Sequence, residues 1–424
     1  MLNSKGEREL AYVATITDMK RIEGYDKICT YYVNGWTCIA GINDFKIGDK
    51  CVFIEPDSLC PYTDIFNFLN EGIDEFTGNK RADRHKIKVQ KFCKGKAISA
   101  GLIMTLNQCK LKEDIAIGEF LTEKLGITYW EKEDNQRKAD YSKYTSMQAR
   151  HKKFFKTKLG KWLMKREWGR KICFFFMGKK KDKKTDWPSW VIKTDEERCQ
   201  NNFNQMKALN KKWIRTEKID GTSTTFTMKQ AKPKKREMLV CSRNIVFNTP
   251  EKELRNFYKD SDGNVYLEMA AKYDMNMVLN YILNKHPEYE YITIQGETYG
   301  GSIQKRNYGK EHKLVIFNYI YKENGKAPVR LNPIEMVDVI QKINKDLWEE
   351  SERSIDRYLA CVPVLDTLDN PFELPKTCDD LLALAGGESI IDGGMREGIV
   401  LRALDGESSF KAVDNEFIVK YHAN

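Results

Sequence analysis

Trp213-Ile214-Arg215-Thr216-Glu217-Lys218-Ile219-Asp220-Gly221 decides how this chain is read. The first four residues form an extended run that ends in an acid, a lysine and an Asp-Gly pair. A strand end of this kind presents the Lys218 amine as a nucleophile. Gly221 can approach a phosphate with no Cβ in the way, and the Asp220 carboxylate lies within reach of a metal. Ordered pieces follow: Ser242-Arg243-Asn244, Gly296-Glu297, Phe317, Arg396-Glu397-Gly398 and Lys411. A lone Lys-x-Asp-Gly arises by chance in many chains. The ordered series does not.

Bulk properties bound the reading. A length of 424 residues predicts two or three domains. A hydrophobic fraction of 41%, with 20 Tyr and 20 Phe, argues for a folded globular protein. No N-terminal apolar segment reads as a signal peptide and no stretch reaches the length of a membrane span, so no membrane partner is expected. The 11 cysteines are scattered without a Cys-x-x-Cys pair, as expected for reduced core residues of a cytoplasmic protein. The 5 His are scattered too, so metal binding is expected to rest on carboxylates and phosphates, which suits Mg²⁺ or Mn²⁺.

The net charge of +10 is concentrated. Residues 150–184 hold 15 Lys or Arg against 2 acids, so the rest of the chain is close to neutral. Aromatics interleave with this charge: Phe154, Phe155, Trp162, Trp168 and Phe174-Phe175-Phe176. Basic side chains neutralise phosphates with counterion release, and aromatic faces stack on unpaired bases. Lys152, Lys153, Lys156, Lys158, Arg166 and Arg170 are the candidate RNA contacts, although a solvated connector fits the same charge run. Lys179-Lys180-Lys181-Asp182-Lys183-Lys184 reads as a loop.

Three regions are expected: 1–110, 111–192 and 193–424. In the first, Leu10 to Thr17, Ile28 to Val33, Trp36 to Ala40, Cys51 to Glu55 and Ala97 to Thr105 read as short strands between turn signals. Five such strands fit an OB-like β-barrel, and other small barrels share the pattern. The second region reads as a charged helical linker carrying the basic aromatic insert. The third alternates strands and helices. Trp213 to Glu217, Thr224 to Met228, Met238 to Ser242, Tyr291 to Glu297, Lys313 to Ile320, Gly398 to Arg402 and Phe417 to Lys420 are β-like. Glu251 to Phe257, Leu267 to Leu283 and Pro333 to Leu347 carry helical periodicity. The fold class expected is α+β with antiparallel pairing, and neither the Rossmann glycine pattern nor the P-loop is present.

Glu217-Lys218-Ile219-Asp220-Gly221-Thr222, Gly296-Glu297-Thr298-Tyr299-Gly300 running on to Gln304-Lys305, and Arg396-Glu397-Gly398-Ile399-Val400 resemble the covalent nucleotidyltransferase superfamily. Within it they look most like the ATP-dependent RNA ligases. An OB-like domain ahead of the transferase domain resembles the fifth RNA-ligase family. The segment Lys193-Thr194-Asp195-Glu196-Glu197-Arg198-Cys199-Gln200-Asn201 is similar to the lead-in such ligases carry before the nucleophile.

The resemblance implies roles. Lys218 attacks the α-phosphate of ATP, giving lysyl-AMP and pyrophosphate, and its pKa must be lowered for that. Asp220, Glu297 and Glu397 bind catalytic metal directly or through water, Glu297 alternatively holding the ribose hydroxyls. Phe317 stacks on adenine, although an apolar strand also suits a plain core residue. Glu217 reads the adenine edge or positions Lys218, Gly221 lies against the nucleotide, and Arg243 contacts the nucleotide or a substrate phosphate. Lys411 meets the α-phosphate as charge develops. Ser409 stands where relatives carry an earlier lysine, and Lys420 is the one candidate to compensate.

The expected activity is ATP-dependent sealing of 3′-hydroxyl and 5′-phosphate RNA ends by a monomer, with ATP as AMP donor. Only a few residues follow Lys420, leaving no room for the trailing OB domain of DNA ligases and mRNA-capping guanylyltransferases, which makes both less expected. A non-catalytic RNA-end-binding protein is the remaining alternative. The presence of Lys218, Asp220, Glu297, Glu397 and Lys411 argues against it.

Overall fold

The computed structural model describes residues 8–61, 63–70, 84–129, 154, 157–164, 166, 168–169, 172–173, 187–193, 196–232, 235–247, 264–351 and 353–422. Two compact units divide the chain, one within Asn3–Lys184 and one within Thr185–Asn424.

The first unit carries eleven strands: β1 Ala11–Thr15, β2 Asp18–Arg21, β3 Ile28–Val33, β4 Trp36–Gly41, β5 Lys50–Ile54, β6 Ser58–Pro61, β7 Arg84–Lys86, β8 Val89–Phe92, β9 Ala97–Ala100, β10 Leu102–Met104 and β11 Thr128–Tyr129. They pair as β1–β5–β10, β2–β3–β4, β11–β6–β7 and β8–β9, giving, among the described residues, an OB fold built of separate ladders rather than one closed barrel. In β3, Cys29, Tyr31 and Val33 are buried while their neighbours are only partly so, the period-two pattern of a one-faced strand. The stretch expected as one strand, Ala97 to Thr105, is split at Gly101, whose φ is +125°. A Cβ there would stand 2.7 Å from the Phe53 ring and 2.9 Å from the Ile54 carbonyl oxygen.

Residues 111–129, expected to open the helical linker, instead complete the first unit. Ile115, Leu121, Leu125 and Ile127 are buried with Leu10, Val13, Val52, Phe66 and Met104, and β11 pairs with β6. Their charged neighbours hid this apolar face in the composition. In the basic insert, Lys158–Met164 is helical, while the 179–184 loop lies outside the described residues.

The second unit holds β12 Trp213–Lys218, β13 Thr222–Lys229, β14 Met238–Cys241, β15 Val246–Phe247, β16 Tyr289–Tyr299, β17 Lys313–Glu323, β18 Val329–Arg330, β19 Ala360–Cys361, β20 Gly398–Ala403 and β21 Ser409–Val413. The larger sheet runs β15–β14–β13–β16–β17–β18, with β19 parallel on β17. Helices Met275–Lys285 and Pro333–Ser351 cover it, burying Val278, Leu279, Ile282, Ile340 and Leu347 in one core with Ile292, Ile294 and Ile316. The smaller sheet, β12–β20–β21, is covered by helices Cys199–Ala208 and Cys378–Ala385 around Trp213, Phe203, Leu381, Leu401 and Phe410.

Several expectations need correction. The helix expected over Leu267 to Leu283 breaks at Asp274, φ +46°, into Val265–Lys272 and Met275–Lys285; the apolar periodicity runs on across the break. Phe417 to Lys420, expected as a strand, forms a short helix, Asn415–Phe417, and a π-helical turn, Ile418–His422. Asp414 caps this helix, its Oδ1 accepting from the Glu416 amide at 3.0 Å. Glu251 to Phe257 lies outside the described residues. Among the described residues, no helix is long and apolar enough to cross a membrane.

Gly101→Ala is expected to destabilise the first unit by about 2–4 kcal/mol, since left-handed strain adds to an unrelieved contact with Phe53 and Ile54. Urea unfolding followed by fluorescence checks it; an unchanged midpoint would contradict the steric account.

Candidate active site

Antiparallel pairing of β12 with β20 sets Lys218 opposite Gly398 and Glu217 opposite Ile399. The residue before β20, Glu397, is thereby carried to the tip of β12. Its Oε2 accepts from Lys218 Nζ at 2.7 Å, across 179 positions of sequence. After three intervening residues, β13 begins and pairs with β16, so that Ser223 faces Glu297. The tight passage from β12 to β13 requires Gly221. A Cβ there would lie 2.3 Å from the Thr298 carbonyl oxygen and 2.9 Å from Glu297 Cγ. Chain packing against β16, as well as any approach by a phosphate, thus excludes a side chain.

Glu217, Lys218, Asp220, Gly221, Arg243, Glu297, Phe317, Glu397 and Lys411 all line one cavity of about 370 Å³. Every nucleotide and metal candidate from the sequence is therefore brought to one place. Glu217 is 1% exposed; its Oε2 accepts from the Ile390 amide at 2.8 Å, and its Oε1 has no hydrogen-bond partner. Asp220 is 5% exposed; its amide donates to Tyr308 Oη at 3.2 Å and its Oδ2 has no partner. Phe317 is half-buried on β17, and its carbonyl accepts from Arg402 Nη1 at 2.9 Å. Arg243, on the turn after β14, is exposed. Lys411 pairs with Val400 in β21, and its amide donates to the Glu197 carbonyl at 2.8 Å.

Burial and crowded charge set the electrostatics. Desolvation pulls the Lys218 pKa down, but Glu397, Glu297 and Asp220 outweigh it and hold the ammonium above the ordinary lysine value. The expected lowering is not found, because the charges of three carboxylates crowd the amine. Desolvation pushes Glu297 up to about 8, Glu397 and Asp220 adding to the rise while Lys218 and Lys411 oppose it.

Sequence reasoning missed Arg402, Glu196 and His422, which also line the cavity. Arg402 is 3% exposed, and desolvation followed by Arg330 lowers its pKa to about 10. Glu196 faces Arg402 at 3.6 Å and Arg330 at 3.7 Å, and its Oε2 accepts from Ser409 Oγ at 2.5 Å. An arginine four residues after Gly398 in an apolar strand was the available signal. His422 Nε2 lies 3.1 Å from Asp220 Oδ1, so one of the histidines scattered in sequence stands beside a cavity carboxylate. Lys420 does not line the cavity; it is exposed, its ammonium 5.1 Å from the Tyr421 ring.

The RNA candidates are not gathered into a described surface. Lys152, Lys153, Lys156, Arg170 and the Lys158 side chain lie outside the described residues. Arg166 is exposed and stacks over the Trp162 ring at 4.0 Å, with Trp162 in edge contact with Trp168 at 5.5 Å.

The sequence profile of the RNA ligase family matches residues 211–422, half the chain and the whole of the cavity's strand framework. The chain belongs to the RNA ligase family. An OB-fold domain profile matches residues 10–106. No curated protein matches this sequence. The fold is similar to that of Naegleria gruberi RNA ligase. A point mutant solved with ATP and Mn has a TM-score of 0.60 at 23% identity, over 97% of this chain and 99% of that chain. A second mutant, with AMP and Mn, gives 0.61 at 24%, over 97% and 99%. The enzyme with PPi gives 0.59 at 24%, over 98% and 99%. At these identities the likeness is one of fold.

The Glu297 pKa yields a stability test on protein free of divalent cations. The folded value stands above the unfolded one, so the contribution is present in acid and lost as pH rises toward about 8. Glu297→Gln is therefore expected to gain stability relative to the parent between pH 5 and pH 9, by on the order of 3 kcal/mol. A pH-independent difference in unfolding free energy would contradict this burial effect.

Proposed function

We propose that this member of the RNA ligase family is an ATP-dependent RNA ligase joining 3′-hydroxyl and 5′-phosphate RNA ends through lysyl-AMP and RNA-adenylate intermediates. The observation that carries the reading is the Lys218 amine at the rim of three carboxylates, in the cavity that Phe317, Arg402 and Lys411 also line. Lys218 Nζ bonds to the α-phosphorus of ATP as pyrophosphate leaves, AMP passes to the RNA 5′-phosphate, and the 3′-hydroxyl then displaces AMP.

Each wall suits part of this chemistry. Glu217 Oε1, buried and unpartnered, can accept from an adenine amino group, and Phe317 offers a face for the ring. Lys411 and Arg402 supply fixed positive charge for the α-phosphate, and Arg243 can reach a phosphate from the exposed rim. Glu397, already in contact with Nζ, is placed to take the proton that Lys218 must lose. Asp220, Glu297 and Glu397 fit a divalent cation such as Mg²⁺ or Mn²⁺, since they are hard oxygen donors and Asp220 keeps a buried oxygen unused. Bound there, the cation supplies charge neutralisation for the phosphates and weakens the carboxylate field that holds Lys218 protonated. The OB fold of the first unit and the Arg166–Trp162–Trp168 stack support an RNA substrate.

Incubation with α-labelled ATP and Mn²⁺, followed by denaturation, is expected to leave label on the parent chain and none on Lys218→Ala. Label on the mutant would remove Lys218 as nucleophile, and preferential label from GTP would move the reading to capping. Lys411→Ala, folded normally by circular dichroism, is expected to lose about 10²–10³ in the rate of labelling. A rate near the parent's would show that Lys411 has no part in charge stabilisation.

A further inference from the structure

We propose that His422 is a metal ligand specific to this pocket: with Asp220 and Glu397 it forms a mixed nitrogen–oxygen site that favours a transition-metal dication such as Mn²⁺ over Mg²⁺. The inference shares its cavity with the ligase reading and deepens that reading's call for a divalent cation.

The geometry points there in four ways. His422 Nε2 is 3.1 Å from Asp220 Oδ1, and neighbouring donors of an octahedral ion with bonds of about 2.1 Å stand about 3 Å apart. Asp220, Glu397 and His422 each offer a ligand atom within 4.8 Å of the other two. The second Asp220 oxygen is buried and accepts no hydrogen bond, which costs stability unless a ligand completes it. Glu397 gives one oxygen to Lys218 and retains another.

The backbone brings His422, itself exposed, to the cavity wall beside Asp220. After β21, the Asp414 amide donates to the Glu397 carbonyl at 2.9 Å, tying the chain to the carboxylate's own backbone. The buried Phe417 ring packs 5.6 Å from the His422 ring and 4.6 Å from that of Tyr421. A π-helical turn, Ile418–His422, follows, a rare form that is frequent at functional sites. Chemically, Mg²⁺ prefers an all-oxygen octahedron and sheds water reluctantly, whereas first-row transition ions accept imidazole nitrogen. One imidazole among carboxylates therefore shifts the balance between them.

The test is pulsed electron paramagnetic resonance on the full-length protein loaded with Mn²⁺, without ATP or RNA, together with competitive Mn²⁺ and Mg²⁺ titrations. The parent is expected to show nitrogen hyperfine coupling from a coordinated imidazole, lost in both His422→Gln and Asp220→Asn. His422→Gln is expected to weaken Mn²⁺ binding about tenfold while Mg²⁺ changes less than about twofold. No nitrogen coupling in the parent, or coupling that persists in His422→Gln, overturns the proposal. Tighter Mn²⁺ binding by His422→Gln also overturns it and would make the imidazole a competitor for the cation's place. Failure of the parent to take label from ATP would sink the ligase reading while leaving the nitrogen coupling as it stands, so the two failures are separable.

Discussion

The antiparallel register of β12 with β20 is the constraint on which the site depends. It fixes Lys218 against Gly398 and so draws Glu397 to the amine. A slip of one residue would turn Lys218 to the other face of the sheet, because side chains alternate with period two. Register is held from outside the cavity by the opposite end of the strand: Trp213, fully buried, stacks edge-on to Phe410 at 5.1 Å and pairs with Ala403. Arg215 adds a lock, donating to both oxygens of the buried Asp366. Apolar packing at one end of the strand thus determines chemistry at the other.

The sequence made the framework of the candidate site readable because each motif sits at a strand end or on a strand face with a side-chain type that packing alone does not call for. Lys218, Glu297 and Lys411 are charged residues within strands, Asp220 and Glu397 stand just beyond strand ends, and the structure gathers all five. The strands themselves were legible through alternation, as in β3, and through runs of β-branched and aromatic residues in β16 and β17. What escaped had at most a weak local signature. Val400 to Ala403 reads as core strand, so Arg402 looks like an edge charge until Glu196 and the Phe317 carbonyl are seen around it. Phe417 to Lys420 has strand-like composition, and only the Asp414 cap turns it into helix. That same turn delivers His422, whose partner lies 202 positions earlier, beyond any spacing argument.

The two failed boundaries have a common cause. Residues 111–129 carry alternating charge and hydrophobicity too irregular for either period, yet Leu121 and Leu125 reach the first unit's core. The Tyr273–Asp274 break sits inside an apolar pattern that suits a continuous helix. Arg353 stabilises the break from a distance, its buried guanidinium donating to the Tyr273 carbonyl at 2.6 Å. In both cases a tertiary contact overrides the local propensity.

Polar groups in the larger sheet mark the contrast between scaffold and site. Thr224 meets Thr298 at 2.6 Å and Thr227 meets Thr293 at 2.7 Å, so these buried hydroxyls are satisfied across neighbouring strands. At the cavity the opposite holds: Glu217 Oε1 and Asp220 Oδ2 are buried without partners, and Glu297 is driven up to about 8. Each unmet group costs stability, typically about 1–3 kcal/mol. Such costs persist where a ligand supplies what the fold omits. A surplus of carboxylates around one ammonium is an environment that a cation would neutralise, and the buried acceptor of Glu217 needs a donor. The electrostatics of the pocket are therefore complementary to a ligand that sets positive charge beside Asp220 and Glu297, negative charge beside Lys411 and Arg402, and a hydrogen-bond donor against Glu217.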